Sequence, residues 1–106
     1  MANMKIKSGQ VTGTGSAINV ECGFTPALVI LANETDPGAM AWFGGMADGE
    51  ALKLTDAVAL TFASSNGISA YAGAEGATGK GFTIGADSDM NAASDVIHYI
   101  AIGGEQ

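Results

Sequence analysis

The feature that most constrains the fold is an alternation of apolar and polar residues with a period of two, which recurs along the chain. Successive side chains of an extended strand point to opposite faces, so this period predicts β-strands with one dry and one wet face. The first example runs from Met4 to Lys7, where apolar residues alternate with lysines. The same alternation is present at 17–24, 52–54 and 58–62. In each of these stretches we expect the apolar side chains to face the core.

Two segments are apolar on both faces and are predicted to be central strands. They read ALVILA at 27–32 and VIHYIAI at 96–102, a pattern typical of strands that are covered on both sides. Pro26 lacks an amide donor and therefore suits the first residue of a strand. With Phe24 ending the preceding strand, residues 23–33 are predicted to form a corner that leads into the core. Shorter strand candidates lie at 39–43, 68–72 and 81–85.

Clusters of turn-forming residues separate these segments. Asp48-Gly49 and Asn66-Gly67 are dipeptides of the hairpin type, because glycine supplies the positive φ that tight hairpin turns need. About eight to nine short strands, with a turn roughly every ten residues, are typical of a sandwich or barrel. We therefore predict a single all-β domain over residues 1–106, an antiparallel β-sandwich of jelly-roll-like character.

The charge of the chain limits its partners. Four lysines and no arginine stand against eleven acidic residues, which gives a formal net charge of -7. A phosphate backbone would be repelled, so nucleic acid is not an expected partner. Only 14% of the residues are charged, which is few for coating an isolated particle. We expect neighbouring subunits to cover part of the outer surface.

Neither export nor membrane insertion is predicted. The residues after Lys7 read SGQVTGTGSA, which is polar and rich in glycine where a signal peptide would be apolar. No run approaches the roughly 18 apolar residues that a membrane-spanning helix needs. Cys22 is the single cysteine, so a disulfide within the chain is excluded.

The sequence Asp87-x-Asp89-x-Asn91 resembles the opening of a calcium-binding loop. Such a loop has glycine at its sixth position and glutamate at its twelfth, where this chain has Ala92 and His98. The favoured interpretation is therefore a polar turn held by local Asx hydrogen bonds, and no metal site is predicted.

His98 and Cys22 are the residues with the clearest potential for nucleophilic or acid–base chemistry. The alternation places His98 on one face with Val96, Ile100 and Ile102, away from any recognisable nucleophile. Cys22 shares an apolar face with Val20 and Phe24, where a cysteine usually acts as a small hydrophobe. We interpret both as structural and predict no catalytic residue, no cofactor and no enzyme activity.

Three residues are candidate subunit or ligand contacts: Trp42, Phe43 and Lys80. The two aromatic residues lie between glycines and could form a platform for stacking a sugar, although a single tryptophan in a strand more often fills the core or a subunit contact. Lys80 lies in the glycine run 73–81, which lacks the P-loop pattern. We interpret that run as a turning loop in contact with a neighbouring subunit.

Two parts of the chain resemble a small all-β module of tailed-phage virion proteins. The pattern is Gly-Phe-x-Pro before an apolar strand, then Gly-Phe-x-x-Gly, an asparagine in a turn and a closing strand with an aromatic and a small residue. In this sequence the matching positions are Gly23, Phe24, Pro26, Gly81, Phe82, Gly85, Asn91, Tyr99 and Ala101.

The resemblance implies a structural role on a virion. Without a fibre repeat or shaft in the sequence, a capsid decoration (cement) protein is expected, made in the host cytoplasm and located on the capsid surface. Its partners would be the major capsid protein and copies of itself, a trimer by analogy. The alternative is a receptor- or carbohydrate-binding module of a phage fibre that uses Trp42, Phe43 and the loops at 33–38, 73–80 and 86–94.

Overall fold

The regular structure is antiparallel β-sheet throughout the part of the chain that the computed structural model describes, residues 4–55, 59–73 and 80–103. The strands are β1 (Lys5–Thr12), β2 (Ile18–Glu21), β3 (Leu28–Asn33), β4 (Gly38–Phe43), β5 (Glu50–Leu54), β6 (Leu60–Tyr71), β7 (Gly81–Ile84) and β8 (Val96–Gly103). Among these residues there is no helix with the length and apolar character to cross a membrane. The predicted all-β class is confirmed.

The eight strands form one continuous sheet in the order β1-β8-β3-β4-β5-β6-β7-β2. The sheet curls, because Phe82 of β7 contacts Tyr99 of β8 although four strands separate β7 from β8 in the sheet. Their ring centroids are 5.5 Å apart in an edge-to-face arrangement. The result is a half-barrel with an inner and an outer face, and the predicted two-layer sandwich is not confirmed.

The core fills the inner face of this curled sheet. Its buried apolar side chains are Val20, Phe24, Val29, Leu31, Met40, Trp42, Ala51, Ile68, Phe82, Ile84, Met90, Ile97 and Ala101. Residues 23–33 form the predicted corner: Gly23 has φ of 87°, Phe24 and Pro26 are buried, and the chain then enters β3. β3 lies between β8 and β4, as expected for a central strand.

Strand β6 bends where the sequence predicts a hairpin turn at Asn66-Gly67, and that prediction is wrong. Ala63 pairs with Ala51 and Ile68 pairs with Glu50, so residues 64–67 bulge out of the ladder. Asn66 has φ of 59°. The unusual backbone therefore bends one strand from β5 towards β7 without reversing the chain. The predicted strands at 58–62 and 68–72 overlap this one strand, which begins at Leu60 and ends at Tyr71; Val58 lies outside the described residues.

The loop between β7 and β8, residues 85–95, closes one end of the half-barrel with buried polar groups. Asn91 is fully buried and its side chain binds the backbone of Thr14, Ser16 and Gly85. Asn33 donates to Met90 O at 2.9 Å and to Asp95 Oδ2 at 2.8 Å. These bonds anchor the β1–β2 connection and the end of β3 to one loop.

Candidate functional site

In three of the predicted stretches, 4–7, 52–54 and 58–62, the described apolar residues face outwards, which is the reverse of the predicted arrangement. On β5, Lys53 points into the half-barrel while Leu52 and Leu54 lie on the outer side. On β6, Leu60 is 66% exposed and Phe62 is 59% exposed. On β1 the lysines share the inner side with the β8 residues Ala101 and Gly103. The alternation predicted these strands, but not which of their faces the core would cover.

Cross-strand pairing arranges the outward-facing residues in three rows, which together we call the outer face. The first row is Ile6, Ile102, Leu28 and Phe43. The second row is Ser8, Ile100, Ile30, Ala41, Leu52 and Phe62. The third row is Gln10, His98, Ala32, Ala39, Leu54 and Leu60. None of these sixteen residues is aspartate, glutamate, lysine or arginine.

The strongly exposed large apolar side chains of the described residues all belong to this side of the sheet. They are Met4, Ile6, Ile30, Phe43, Leu54, Leu60 and Phe62, with Met4 preceding β1 in step with Ile6. Scattered exposed apolar residues are normal on a protein surface, but a contiguous group of them marks an interaction site. The outer face is therefore the candidate functional site.

The two central strands show the same exposure. β3 and β8 were predicted to be covered on both faces, yet Ile30 is 41% exposed and Ile100 is only half-buried. The prediction is wrong for the chain by itself, because one sheet can cover its strands on the inner side only. The apolar residues on the outer side of β3 and β8 have no covering layer within the described residues.

The outer face is not flat: it has two shallow depressions, one on each side of Ile30. One is bordered by Ile30, Ala32, His98 and Ile100 and has a volume of about 240 Å³. The other has a similar volume of about 240 Å³ and is bordered by Ile30, Ala39, Ala41, Leu52, Leu54 and Leu60. Alanines give the face its low points and the larger side chains give it its high points.

The border of the outer face carries one paired histidine. His98 Nε2 makes a hydrogen-bonded contact with Glu34 Oε1, and both side chains are largely exposed. His98 shares its face with Ile100 and Ile102, as the alternation predicts. The pair therefore lies at the margin of an apolar surface.

On the inner side, Lys53 binds the loop that resembles a calcium site. Its ammonium lies 2.7 Å from Asp87 Oδ2 and 2.8 Å from Asp89 Oδ2. Burial acts to lower the pKa of Lys53, but hydrogen bonds and attraction from the two carboxylates outweigh it and raise the pKa. Asp87 Oδ1 accepts hydrogen bonds from the backbone of Asp89 and Met90, which confirms the predicted Asx turn. The Lys53 ammonium therefore occupies the position between the Asp87 and Asp89 carboxylates.

Cys22 directly follows β2, is half-buried and packs against the core. Burial raises the pKa of its thiol, and the nearby charge of Lys7 partly offsets this effect. Burial, with a smaller contribution from Cys22, also raises the pKa of Tyr99. These directions keep both side chains neutral near pH 7 and agree with a structural role for the cysteine.

The structure separates the three residues that the sequence singled out as contacts. Trp42 is buried in the core, where its Nε1 donates to Ala47 O at 3.3 Å. Phe43 is 48% exposed and belongs to the outer face. Lys80 is half-buried beside β7, and its carbonyl accepts from the amides of Cys22 and Gly23. Residues 74–79 of the glycine run lie outside the described residues.

Comparison with known proteins gives no relative for the chain. No family model, no curated protein and no solved structure matches it. Within the described parts of the chain, no group of three or more His, Cys, Asp or Glu side chains could hold a metal ion.

Sequence reasoning missed the main residues of the outer face, in particular Leu52, Leu54, Leu60 and Phe62. Two sequence signals indicate such a face when they are combined. One is the pair of strands that are apolar on both sides, and the other is the low fraction of charged residues. Together they indicate apolar surface beyond what one small sheet covers.

Proposed function

We propose that this chain is a structural protein of a phage virion, a capsid decoration protein that binds the outer capsid surface and stabilises it through many copies of one contact. In this role the chain acts by binding its partners through buried surface area. Its partners are the major capsid protein and copies of the chain itself. The observation that carries the proposal is the exposed apolar outer face, whose three rows hold no aspartate, glutamate, lysine or arginine.

The outer face supports association in physical terms. Burying apolar side chains contributes roughly 25 cal/mol for each Å² removed from water, and a surface without charges avoids the cost of desolvating them. Side chains such as Ile30 and Phe62 are therefore available for a contact that the isolated chain does not make. Repetition of even a weak contact on a capsid lattice gives tight attachment.

The virion assignment depends on the resemblance of two segments to tailed-phage virion proteins. In the fold these segments contain the corner before β3 and the β7–β8 region, which meet in the core through Phe24 and Gly103. The two-layer sandwich predicted from the sequence is part of the proposal: the second layer comes from a neighbouring molecule that covers the outer face.

The test is co-sedimentation of the purified chain with capsids of the phage whose genome carries its gene. We expect saturable binding at a fixed ratio to the major capsid protein, and a higher temperature of capsid disruption when the chain is bound. Phe62→Glu places a charge on the outer face and should abolish binding, whereas Ala86→Glu adds the same charge at an exposed position in the β7–β8 loop and should not. Absence of co-sedimentation by the unaltered chain would exclude the decoration role.

A glycan array tests the carbohydrate-binding alternative. The buried position of Trp42 leaves Phe43 as the exposed member of the proposed stacking pair. Saturable binding of a glycan that is lost in Phe43→Ala would favour the alternative over capsid decoration. An array without binding, together with capsid binding, would support the decoration role.

A further inference from the structure

We infer that the occupant of the outer face is a second copy of this chain, bound sheet against sheet in a two-fold dimer. The inference deepens the proposed function and rests on it: of the two proposed partners, the major capsid protein and copies of the chain itself, it names the copy as the one that covers the outer face. The two-layer sandwich then forms between two subunits, each of which supplies one sheet.

The strand patterns favour a second β-layer on the outer side. β3 and β8 have the composition of strands that are covered on both faces, and β5 and β6 direct Leu54 and Phe62 outwards. Two sheets that pack face to face interdigitate the side chains of their facing surfaces at a spacing of roughly 10 Å. A second copy supplies a layer with the same apolar rows.

The shape of the outer face is suited to contact with itself. Ile30 separates the two depressions, while Leu60 and Phe62 project at one side. In a two-fold contact each surface feature is used twice, so a projection of one copy can enter a depression of the other and the reverse. The projections and depressions that such a contact needs are present on one face of one chain.

Charge restricts how two copies can approach each other. Each chain carries a formal net charge of -7, so most pairs of surfaces repel. The three rows of the outer face hold no carboxylate or lysine, and His98 at their margin is already paired with Glu34 of its own chain. Contact through the outer face therefore buries no unpaired charge from these rows.

The edges of the sheet are protected against association. β1 directs Lys5 and Lys7 to its inner side, and β2 is only four residues long. Inward-pointing lysines and short edge strands both oppose pairing between sheet edges of different molecules. The exposed apolar area is instead concentrated on the face of the sheet.

The size of the outer face reaches the range of specific interfaces. Six neighbouring strands at about 4.8 Å spacing give a width of about 24 Å, and three rows give a length of about 20 Å, or roughly 480 Å² for each subunit. With complete overlap, two subunits bury twice this area, roughly 1,000 Å², which is the lower limit for a specific contact; because the outer face of the curled sheet is convex, the buried area does not exceed this value. We therefore expect a reversible dimer whose population depends on concentration.

The first experiment measures the mass of the full chain by sedimentation equilibrium over a hundredfold range of concentration. We expect a monomer–dimer equilibrium that approaches twice 10.5 kDa. Leu60→Glu and Phe62→Glu should each weaken the dimer at least about 100-fold, because each places an unpaired charge in an apolar contact. Ala86→Glu is the control with the same added charge and should leave the equilibrium within about twofold.

The second experiment measures whether the face is covered. In a Cys22→Ala background, a cysteine introduced by Ile30→Cys should react with a maleimide more slowly as the protein concentration rises. A cysteine introduced by Ala86→Cys should react at a constant rate. Near-ultraviolet circular dichroism of the buried Trp42 checks that each variant is folded.

The outcomes separate this inference from the capsid proposal. A mass of 10.5 kDa at every concentration, a trimer, or a dimer that tolerates both glutamate substitutions would overturn the inference. A dimer that does not bind capsids would leave it standing and remove the decoration role. A chain that is a monomer in solution, binds capsids and loses this binding in Phe62→Glu would remove the dimer inference and support the decoration role.

Discussion

Lys53 and Asp87 form an ion pair on the inner side of the sheet, with 2.7 Å between Nζ and Oδ2. Their side chains are only 15% and 11% exposed. The pair joins β5 to the loop between β7 and β8, two parts of the chain that are distant in the sequence. It also fixes the direction in which β5 faces, because with Lys53 inside, Leu52 and Leu54 must lie outside.

Replacing Lys53 by methionine should therefore destabilise the chain. The substitution keeps an unbranched side chain as far as Cε but removes the ammonium, which leaves the partly buried Asp87 carboxylate without its cation. Since a hydrogen bond to a charged group contributes about 1.5–3 kcal/mol, we expect the free energy of unfolding to fall by about that amount. Urea unfolding followed by tryptophan fluorescence measures the change.

Lys5→Met is the matched control for this substitution. Lys5 is exposed on the edge strand β1, and its removal should change the free energy of unfolding by no more than about 0.5 kcal/mol. Equal urea midpoints for Lys53→Met and the unaltered chain would show that the ion pair adds nothing to stability.

A second prediction concerns the bend in β6. A Cβ atom at Gly67 would lie 2.6 Å from the carbonyl oxygen of Glu50 and 2.7 Å from that of Gly49, closer than such atoms approach. Gly67→Ala should therefore lower the free energy of unfolding by about 1–3 kcal/mol, because the backbone would have to move. Differential scanning calorimetry should show a lower melting temperature.

Gly45→Ala provides the comparison, since nothing lies within 4 Å of a Cβ atom at Gly45. This change should be neutral or should stabilise the chain by about 0.4–1 kcal/mol, through the lower entropy of the unfolded state. If Gly67→Ala proves as harmless as Gly45→Ala, the close approach at the bend is not a constraint on the fold.

The bend also shows where prediction from the sequence stops. Alternation locates strands because it depends on local geometry, and it placed residues of β1, β2, β5 and β6 correctly. Whether Asn66-Gly67 reverses the chain or bends it depends on Glu50 in another strand, which no local pattern contains.

The same reasoning applies to the outer face. Alternation gives two faces but does not say which one the core covers, and for Lys53 the answer depends on Asp87 and Asp89. The corner at Pro26 was predictable because proline fixes its own φ and glycine permits the positive φ that Gly23 adopts. The order in which the strands pair in the sheet could not be predicted, because it depends on contacts between residues that are distant in the sequence.

A third prediction concerns the thiol of Cys22. Burial raises its pKa and the charge of Lys7 partly lowers it, with burial the larger effect. The pH at which the reaction with a disulfide reagent reaches half its maximal rate should therefore lie above the ordinary value for cysteine. Lys7→Met removes the opposing charge and should move this midpoint higher, whereas Lys5→Met should move it less.

The sign of the effect on stability follows from the raised pKa. The unfolded state loses the thiol proton at lower pH than the folded state does. The contribution of Cys22 to stability is complete below the unfolded pKa and is lost as the pH rises through the folded pKa. A midpoint at or below the ordinary cysteine value would contradict the burial of this thiol.

The last prediction concerns Asn91, whose side chain joins three separate backbone segments. Its Oδ1 accepts from Thr14 N at 3.0 Å, and its Nδ2 donates to Ser16 O at 2.7 Å and Gly85 O at 2.9 Å. Asn91→Ala removes all three bonds, but Thr14 and Ser16 are exposed and Ser16 O still accepts a bond from Thr14 Oγ1, so the free energy of unfolding should fall by about 1–3 kcal/mol. Asn91→Asp should also destabilise the chain, because a carboxylate cannot donate to the two carbonyls.

Asn19→Ala is the control for Asn91, because Asn19 is exposed and accepts one bond from Thr83 Oγ1 at 2.8 Å. Its loss should cost less than about 1 kcal/mol. Hydrogen exchange at the amide of Thr14 gives a local measurement, since Asn91→Ala should remove its protection and Asn19→Ala should not. If Thr14 stays protected in Asn91→Ala, the Asn91 side chain is not what orders Thr14, and the backbone bonds between Gly13 or Gly15 and the loop at 85–95 are sufficient to hold the β1–β2 connection.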